Sequence, residues 1–385
     1  MSREGIGRFA AFYFSYFAVL GVFLPYFNLY CKSLGFASWE IGAISMVVPA
    51  ARVVVGFALT HWADRTRRQR LTTRIAAWGS VAAVSLYLLA DRFPTMLLCT
   101  VVYGVISVPL LPLVEAVTLE RVMARGWDYA RIRLWGTLGF ICLAVGFGKV
   151  VEVLPLASVL VGLVVLSACT AATVEALPPV EHPAIHDVPA ILPILRRPTL
   201  VIFLVCCTLM QMSHGAYYGF FSIYMESVGV DRAAIGLLWG LATVSELAVM
   251  YGAGRLVAWL GESRVLTLSL ALAVLRWGIL ATTGALPAVA AAQVLHAFTF
   301  GTFHVAAIQF TYDAFPRPLR ASGQSLYSLS SFGIGMILGF GGSGLFYDVI
   351  GPRGLFLVSG GLAAIAAAAS LWLTDAPAEE RYAAS

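Results

Sequence analysis

The chain has 385 residues, of which 60% are hydrophobic and 12% charged, with a formal net charge of +5 and a mean hydropathy of +0.86. A domain of this length that faced water would carry about a quarter of its residues as charges, so a soluble globular protein is excluded. The excess of basic residues is too small and too dispersed to mark a nucleic-acid partner.

Apolar runs recur along the whole chain: 9–31, 39–61, 71–90, 94–118, 131–149, 153–176, 199–225, 233–258, 264–284, 287–310, 321–346 and 354–374. Each is long enough to cross a hydrocarbon core of about 30 Å as a helix. Helices are required, because backbone polar groups find no water inside lipid. The run 9–31 is too long for a signal-peptide core and is followed by further spans, so it reads as a retained helix. The second run opens at Ile41-Gly42, passes through Arg52 and ends in Asp64-Arg65-Thr66-Arg67-Arg68-Gln69-Arg70.

The fourth and fifth runs carry Glu115 and Arg133, each nine residues from Ala124 in the turn between them. An antiparallel hairpin brings them to similar depth, where they can pair, and the neighbouring Pro109 and Pro112 argue against a plain rim salt bridge. Prolines crowd 177–198, which divides the chain into six-helix halves at 1–176 and 199–385. His182 and His186 in that linker are four apart, but no third ligand is near and Pro183 separates them, so no metal site is expected.

In the second half His214, His296 and His304 stand alone on apolar helices, and the eighth and ninth runs carry Glu246 and Arg276. The glycine-rich run from Gly333 to Gly342 follows no strand and lies inside a span, so it reads as close helix packing, not a nucleotide loop. The six cysteines have no metal spacing and read as packing residues.

With the N-terminus placed in the cytoplasm, eighteen Lys and Arg residues fall on that side. Only Lys32, Arg92, Lys149, Arg232 and Arg353 fall on the other. That bias sets both termini inside.

An offset of 194 residues lays the Ile41-Gly42 stretch on Ile235-Gly236 and places Arg52 on Glu246. A rise of about 1.5 Å per residue puts Arg52, Glu246, Arg276 and His296 near the midplane. A charge there costs at least about 2.5–3.5 kcal/mol and persists by facing a cavity or a partner. A structural reading pairs Glu246 with Arg276 or Arg52. A functional reading has the four line a polar cavity for substrate and protons, with His296 level with Glu246 and suited to exchange protons near neutrality.

Thr60-His61-Trp62-Ala63-Asp64-Arg65-Thr66-Arg67-Arg68 resembles the helix two–three loop of the major facilitator superfamily, with threonine at two positions, Thr60 and Thr66, that are usually glycine. Within it, Pro109-Leu-Leu-Pro112-Leu-Val-Glu115, Tyr129-Ala-Arg131-Ile-Arg133-Leu-Trp135-Gly136, Leu295-His296-Ala-Phe298-Thr-Phe-Gly301-Thr-Phe-His304 and Gly323-Gln324-Ser-Leu-Tyr327 resemble the phenylpropionate-permease branch, a relative of the lactose-permease-type sugar/proton symporters. The resemblance spans all twelve helices. It implies gating by Asp64, Arg65, Arg67 and Arg68, substrate contacts from Glu115 and Arg133, and a substrate and proton-coupling role for Glu246, Arg276 and His296. Three departures stand out: Thr299 and His214 replace acidic residues, and Gln293 replaces a lysine.

The expectation is therefore an all-α polytopic membrane protein, twelve helices in two pseudo-symmetric six-helix bundles, in the cytoplasmic (inner) membrane. It moves a small organic solute by alternating access as a proton symporter, with Glu115, Arg133, Arg276 and Arg52 binding substrate and Glu246 with His296 coupling the proton. Arg52, Arg133 and Arg276 against Glu115 and Glu246 leave one spare positive charge, which favours an aromatic or other carboxylate; a sugar remains open. Proton-driven efflux is the alternative, with a membrane-embedded enzyme or a non-transporting sensor behind it. No cofactor other than the coupling proton, no metal and no nucleic acid are expected, only solute, protons and the lipid bilayer around a monomer.

Overall fold

The computed structural model describes residues 5–178 and 196–375, with the side chains of Phe57, Asp64 and Pro318 excepted. Most of the 177–198 linker, with His182 and His186, lies outside the described residues. Among those described there are twelve helices and no strand. They are α1 (Ile6–Ser33), α2 (38–65), α3 (69–89), α4 (Phe93–Arg125), α5 (Tyr129–Val153), α6 (Ser158–Glu175), α7 (Pro198–Ser227), α8 (Arg232–Leu260), α9 (Glu262–Thr282), α10 (Leu286–Ala314), α11 (320–350) and α12 (352–370).

Ten stretches are individually long and apolar enough to cross a membrane, and the two remaining divisions have local causes. The regular part of α3 is only Gln69–Ser85 and starts with Arg70 and Arg74, though a tighter turn, Leu86–Leu89, extends it. The stretch Arg320–Ser370 runs on in helical hydrogen bonding, but Gly351 adopts φ 70° and ψ 172°. That conformation is open to glycine, and Pro352 follows without an N–H to continue the ladder, so α11 ends and α12 begins there.

Four helices loosen into wide π turns: Phe23–Phe27 in α1, Arg52–Gly56 in α2, Ala297–Thr302 in α10 and Leu329–Gly335 in α11. Such turns disturb the regular ladder and recur at functional sites. Arg52 is the first residue of one, and His296 immediately precedes another.

The chain forms two compact units. One comprises α1–α6 with Ser222–Gly240; the other comprises the rest of α7 and α8 with α9–α12. The first is centred on Phe9, Phe12, Tyr13, Leu110, Val114 and Ile132. Here α1 crosses α5 backbone to backbone, and a Cβ on Gly21 would overlap the Phe140 carbonyl. In the second unit α7 crosses α11 the same way, and a Cβ on Gly215 would overlap Gly339. Gly21 and Gly215 are 194 residues apart, so the offset read from the sequence marks a repeated packing device. Small residues let helices approach closely in lipid, where no hydrophobic drive pulls them together.

The Ser222–Gly240 hairpin is tied into the first unit. The Arg232 guanidinium bonds Glu226 at 2.8 Å and the Val151 carbonyl at 3.0 Å, while its backbone N–H donates to Glu152 at 2.8 Å. Tyr26 donates to the Ala144 carbonyl at 2.6 Å, and Gly236 lies against both.

The loop after α2 solves its turn without the expected glycines. Thr60 and Thr66 both bond back to carbonyls four residues earlier, Gly56 and Trp62. The left-handed position falls instead on Arg67, at φ 53°, a conformation uncommon for a residue with a Cβ. Arg65, Arg67 and Arg68 are exposed. The Asp64 side chain lies outside the described residues.

Candidate functional site

Each unit gathers the charges it carries at membrane depth. In the first unit α1 supplies Tyr13, Tyr16 and Phe17, α2 supplies Arg52, α4 supplies Glu115, and α5 supplies Tyr129 and Arg133. Glu115 and Arg133 do not form the hairpin salt bridge that their equal depth allowed. Arg133 instead lays its guanidinium over Phe17, 3.9 Å from the ring centre, with Tyr13 at 5.6 Å. Glu115 accepts a long hydrogen bond from the Tyr129 hydroxyl, 3.5 Å. The reason is helix rotation: residues at one level of a hairpin face each other only if both helices turn the same face inward.

Arg52 is exposed, and both it and Arg133 lie within electrostatic reach of Glu115 and of Tyr16. Arg52, the least anchored of the sequence candidates, thus belongs with the Glu115–Arg133 group. A cavity lined by Tyr16, Tyr103, Ser80, Ser107 and Thr170 adjoins it. Tyr129 and Phe17 were not read as site residues from the sequence. Tyr129 stands one helical turn before Arg133, a spacing that placed it on the same face.

In the second unit α9 holds Arg276 fully buried. Its Nε donates to the Ala292 carbonyl at 3.0 Å, its Nη1 faces His214 Nε2 at 3.3 Å and donates to Thr299 Oγ1 at 3.4 Å, and its Nη2 donates to Gln293 Oε1 at 3.3 Å. The guanidinium lies over the rings of Tyr217 and Trp277, at 4.4 and 4.3 Å. Trp277 is itself held by a hydrogen bond to Ser213, 3.1 Å. No carboxylate pairs with Arg276 among the described residues, so the structural reading of a Glu246–Arg276 lock does not hold.

Glu246 of α8 faces His296 instead, Oε2 to Nε2 at 4.0 Å. His296 is stacked on Phe300, with ring centres 5.4 Å apart, and borders His214 and Tyr217. Two buried polar atoms on one face of α10, His296 Nδ1 and Gln293 Nε2, have no hydrogen-bond partner. Such orphans are costly and point to a group that arrives from elsewhere. The α8–α10 approach is tight at Gly301, where a Cβ would touch the Glu246 side chain. His214, a lone histidine in the sequence, is part of this cluster. His304 has a partner of its own, with Nδ1 2.7 Å from the Tyr327 hydroxyl. Among the described residues no three His, Cys, Asp or Glu side chains are grouped to hold a metal.

Two half-bundles of membrane helices, each concentrating charge at depth, define a polytopic secondary-transporter fold. Residues 6–358 match the MFS_1 like family, and the chain belongs to that branch of the major facilitator superfamily. It is 27% identical over 304 residues to the "Probable 3-phenylpropionic acid transporter" of Escherichia coli (strain K12), covering 77% of this chain and 80% of the relative. It is 25% identical over 335 residues to the maltose permease of Geobacillus stearothermophilus, covering 85% and 84%. Among solved structures, a point mutant of the nucleoside transporter NupG superposes with a TM-score of 0.87 at 18% identity, covering 95% of this chain and 98% of that one. The protein is a membrane transporter, not an enzyme.

Proposed function

We propose that the protein is a proton-coupled symporter of a small aromatic carboxylate, working as a monomer in the cytoplasmic (inner) membrane with both termini in the cytoplasm. The observation that carries this reading is Arg276, a buried guanidinium whose partners are all neutral. It is a receptor for an anion, since arginine cannot shed its charge and a buried charge with no counter-charge in contact is expensive. The relative named for 3-phenylpropionic acid supports an arylalkanoate as the solute.

Charge balance gives the mechanism. In the second unit Arg276 offsets ionised Glu246, and His296 is neutral, so the empty site carries no net charge. A proton taken up by the Glu246–His296 pair leaves it at plus one, and a carboxylate restores neutrality. Each ligand thereby favours the other by the same factor. Moving a neutral site, empty or doubly loaded, avoids the cost of carrying net charge through low dielectric. In the first unit Arg133, held flat on Phe17, Glu115 and Arg52 contact the solute, while Asp64, Arg65, Arg67 and Arg68 gate. Protons and solute are the ligands, and no cofactor is involved.

Proteoliposomes loaded with buffer and given an inward proton gradient test the reading. Accumulation of 3-phenylpropionate that collapses with a protonophore is expected, and accumulation only under an outward-directed exchange would make the protein an efflux transporter. Normal carboxylate uptake in both Arg52→Gln and Arg276→Gln would overturn the anion-receptor assignment. Maltose and nucleosides as competitors show whether the site admits uncharged solutes, as the names of other relatives suggest.

A further inference from the structure

His214 lies on α7, fully buried, with its ring edge-on to Trp277 and stacked against Tyr218. Its Nδ1 is 2.8 Å from the Met210 carbonyl. A carbonyl oxygen only accepts, so Nδ1 carries the hydrogen. Its Nε2 stands 3.3 Å from Arg276 Nη1. A guanidinium only donates, so Nε2 presents a lone pair. Both contacts demand one state, the neutral imidazole protonated at Nδ1, and an imidazolium would aim a second N–H at the guanidinium.

That state separates two tasks that a carboxylate would merge. A carboxylate at this place would satisfy the same Nη1 and would also cancel the charge. The neutral ring holds the guanidinium in position without placing a counter-charge in contact with it, as do the Ala292 carbonyl, Thr299 and Gln293. Nearby, Gln293 Nε2 is a buried donor without a partner, so the same side of α10 lacks an acceptor that a carboxylate could provide. His296 lies beside His214, ring centres 5.8 Å apart, yet the two have different chemistry: one faces Glu246, the other a fixed cation.

We infer that His214 is the charge-selectivity residue of this transporter: a neutral acceptor that positions Arg276 while keeping its charge for an anionic solute. The inference rests on the carboxylate reading of the preceding subsection. It assigns His214 no part in carrying the proton. An acid at position 214 removes the site's preference for an anion over an uncharged solute.

The test compares the unchanged protein with His214→Asp and His214→Asn in proteoliposomes, using 3-phenylpropionate and its uncharged amide. His214→Asp is expected to lower carboxylate uptake by about 100-fold while amide binding stays within about threefold, because a close internal counterion now competes with the solute. His214→Asn retains a neutral acceptor and is expected to keep carboxylate uptake within about tenfold, the scale of one weakened hydrogen bond. Carboxylate uptake that survives in His214→Asp, or that falls equally in His214→Asn, overturns the inference. Nitrogen-15 spectra of histidine-labelled unchanged protein in nanodiscs give a second measurement should the Asp variant fail to fold. A neutral, Nδ1-protonated ring from about pH 5 to about pH 8 is expected. An imidazolium or an Nε2-protonated ring overturns the inference whatever the solute. If the unchanged protein moves no aromatic carboxylate yet shows the neutral Nδ1-protonated ring, the carboxylate reading falls and the neutral positioning of Arg276 by His214 stands.

Discussion

Arg133 in the first unit and Arg276 in the second are both guanidinium groups laid on aromatic rings, and the protein keeps them in opposite states. Arg133 is half-buried, rests on Phe17 and has a carboxylate within electrostatic reach. Arg276 is fully buried, held by four neutral contacts and two rings, with no carboxylate paired to it among the described residues. The difference teaches that stacking and hydrogen bonding divide the labour. Stacking leaves the N–H edge of Arg133 free to meet a solute, whereas the contacts on Arg276 consume its donors and leave mainly its field. The first unit is built to touch and orient, the second to balance charge.

The sharpest way to break that comparison is to remove each charge. Arg276→Gln is expected to cut carboxylate uptake by about 100-fold or more, since the charge acts in low dielectric. Arg133→Gln is expected to cost about tenfold and to appear mainly as a raised KM, because cation–π and solvent-exposed contacts are weaker. Initial rates across a range of solute concentrations check both. Equal losses would mean that the two arginines do the same work.

The acids give the next contrast. Glu246→Gln leaves the His296 pair unable to carry a charge cycle, so uptake is expected to stop responding to an imposed proton gradient while solute counterflow persists. Glu115→Gln, whose titratable neighbours are tyrosines and arginines, is expected to weaken solute binding and to retain gradient-driven accumulation. Counterflow and gradient-driven uptake measured side by side separate the outcomes. Loss of coupling in Glu115→Gln alone would move the proton to the first unit.

Much of this was legible from residue order, and the limit is physical. Apolar runs located the helices because lipid imposes length and apolarity on any span. Arg52, Glu246, Arg276 and His296 were legible because a charge in an apolar run has few explanations. The 194-residue offset was legible as a weak repeat, and the Gly21 and Gly215 crossings show what it preserves. Partner choice was not legible, because it depends on how each helix is rotated about its axis. Depth allowed Glu115 to pair with Arg133 and Glu246 with Arg276, Arg52 or His296; rotation gave Arg133 to Phe17, Glu115 to Tyr129, and, of the choices for Glu246, brought His296 to it. His214 stood out only as a departure from the family pattern, and its role was hidden for a related reason. A lone histidine on an apolar helix has no periodic signal, and its role appears only when Arg276, 62 residues away, comes within 3.3 Å. The π turns at Arg52 and before Phe303 are equally silent in composition.

The smallest expected effect lies at the hydrogen bond between Tyr129 and Glu115. At 3.5 Å it is at the long end of what counts as a bond, and the Tyr129 ring remains to shape the site when the hydroxyl is removed. Tyr129→Phe therefore tests whether Glu115 is oriented by that hydroxyl or by the field of Arg52 and Arg133. If the field dominates, KM should move by less than about threefold, the scale of a weak neutral hydrogen bond, with the maximal rate unchanged. A tenfold rise in KM would show that Tyr129 positions the carboxylate, and the first unit would then resemble the second in relying on directed hydrogen bonds. Combining Tyr129→Phe with Arg133→Gln sharpens the point. Independent effects should add, whereas a hydroxyl and a guanidinium that hold one carboxylate between them should show a coupling of at least about 0.5 kcal/mol.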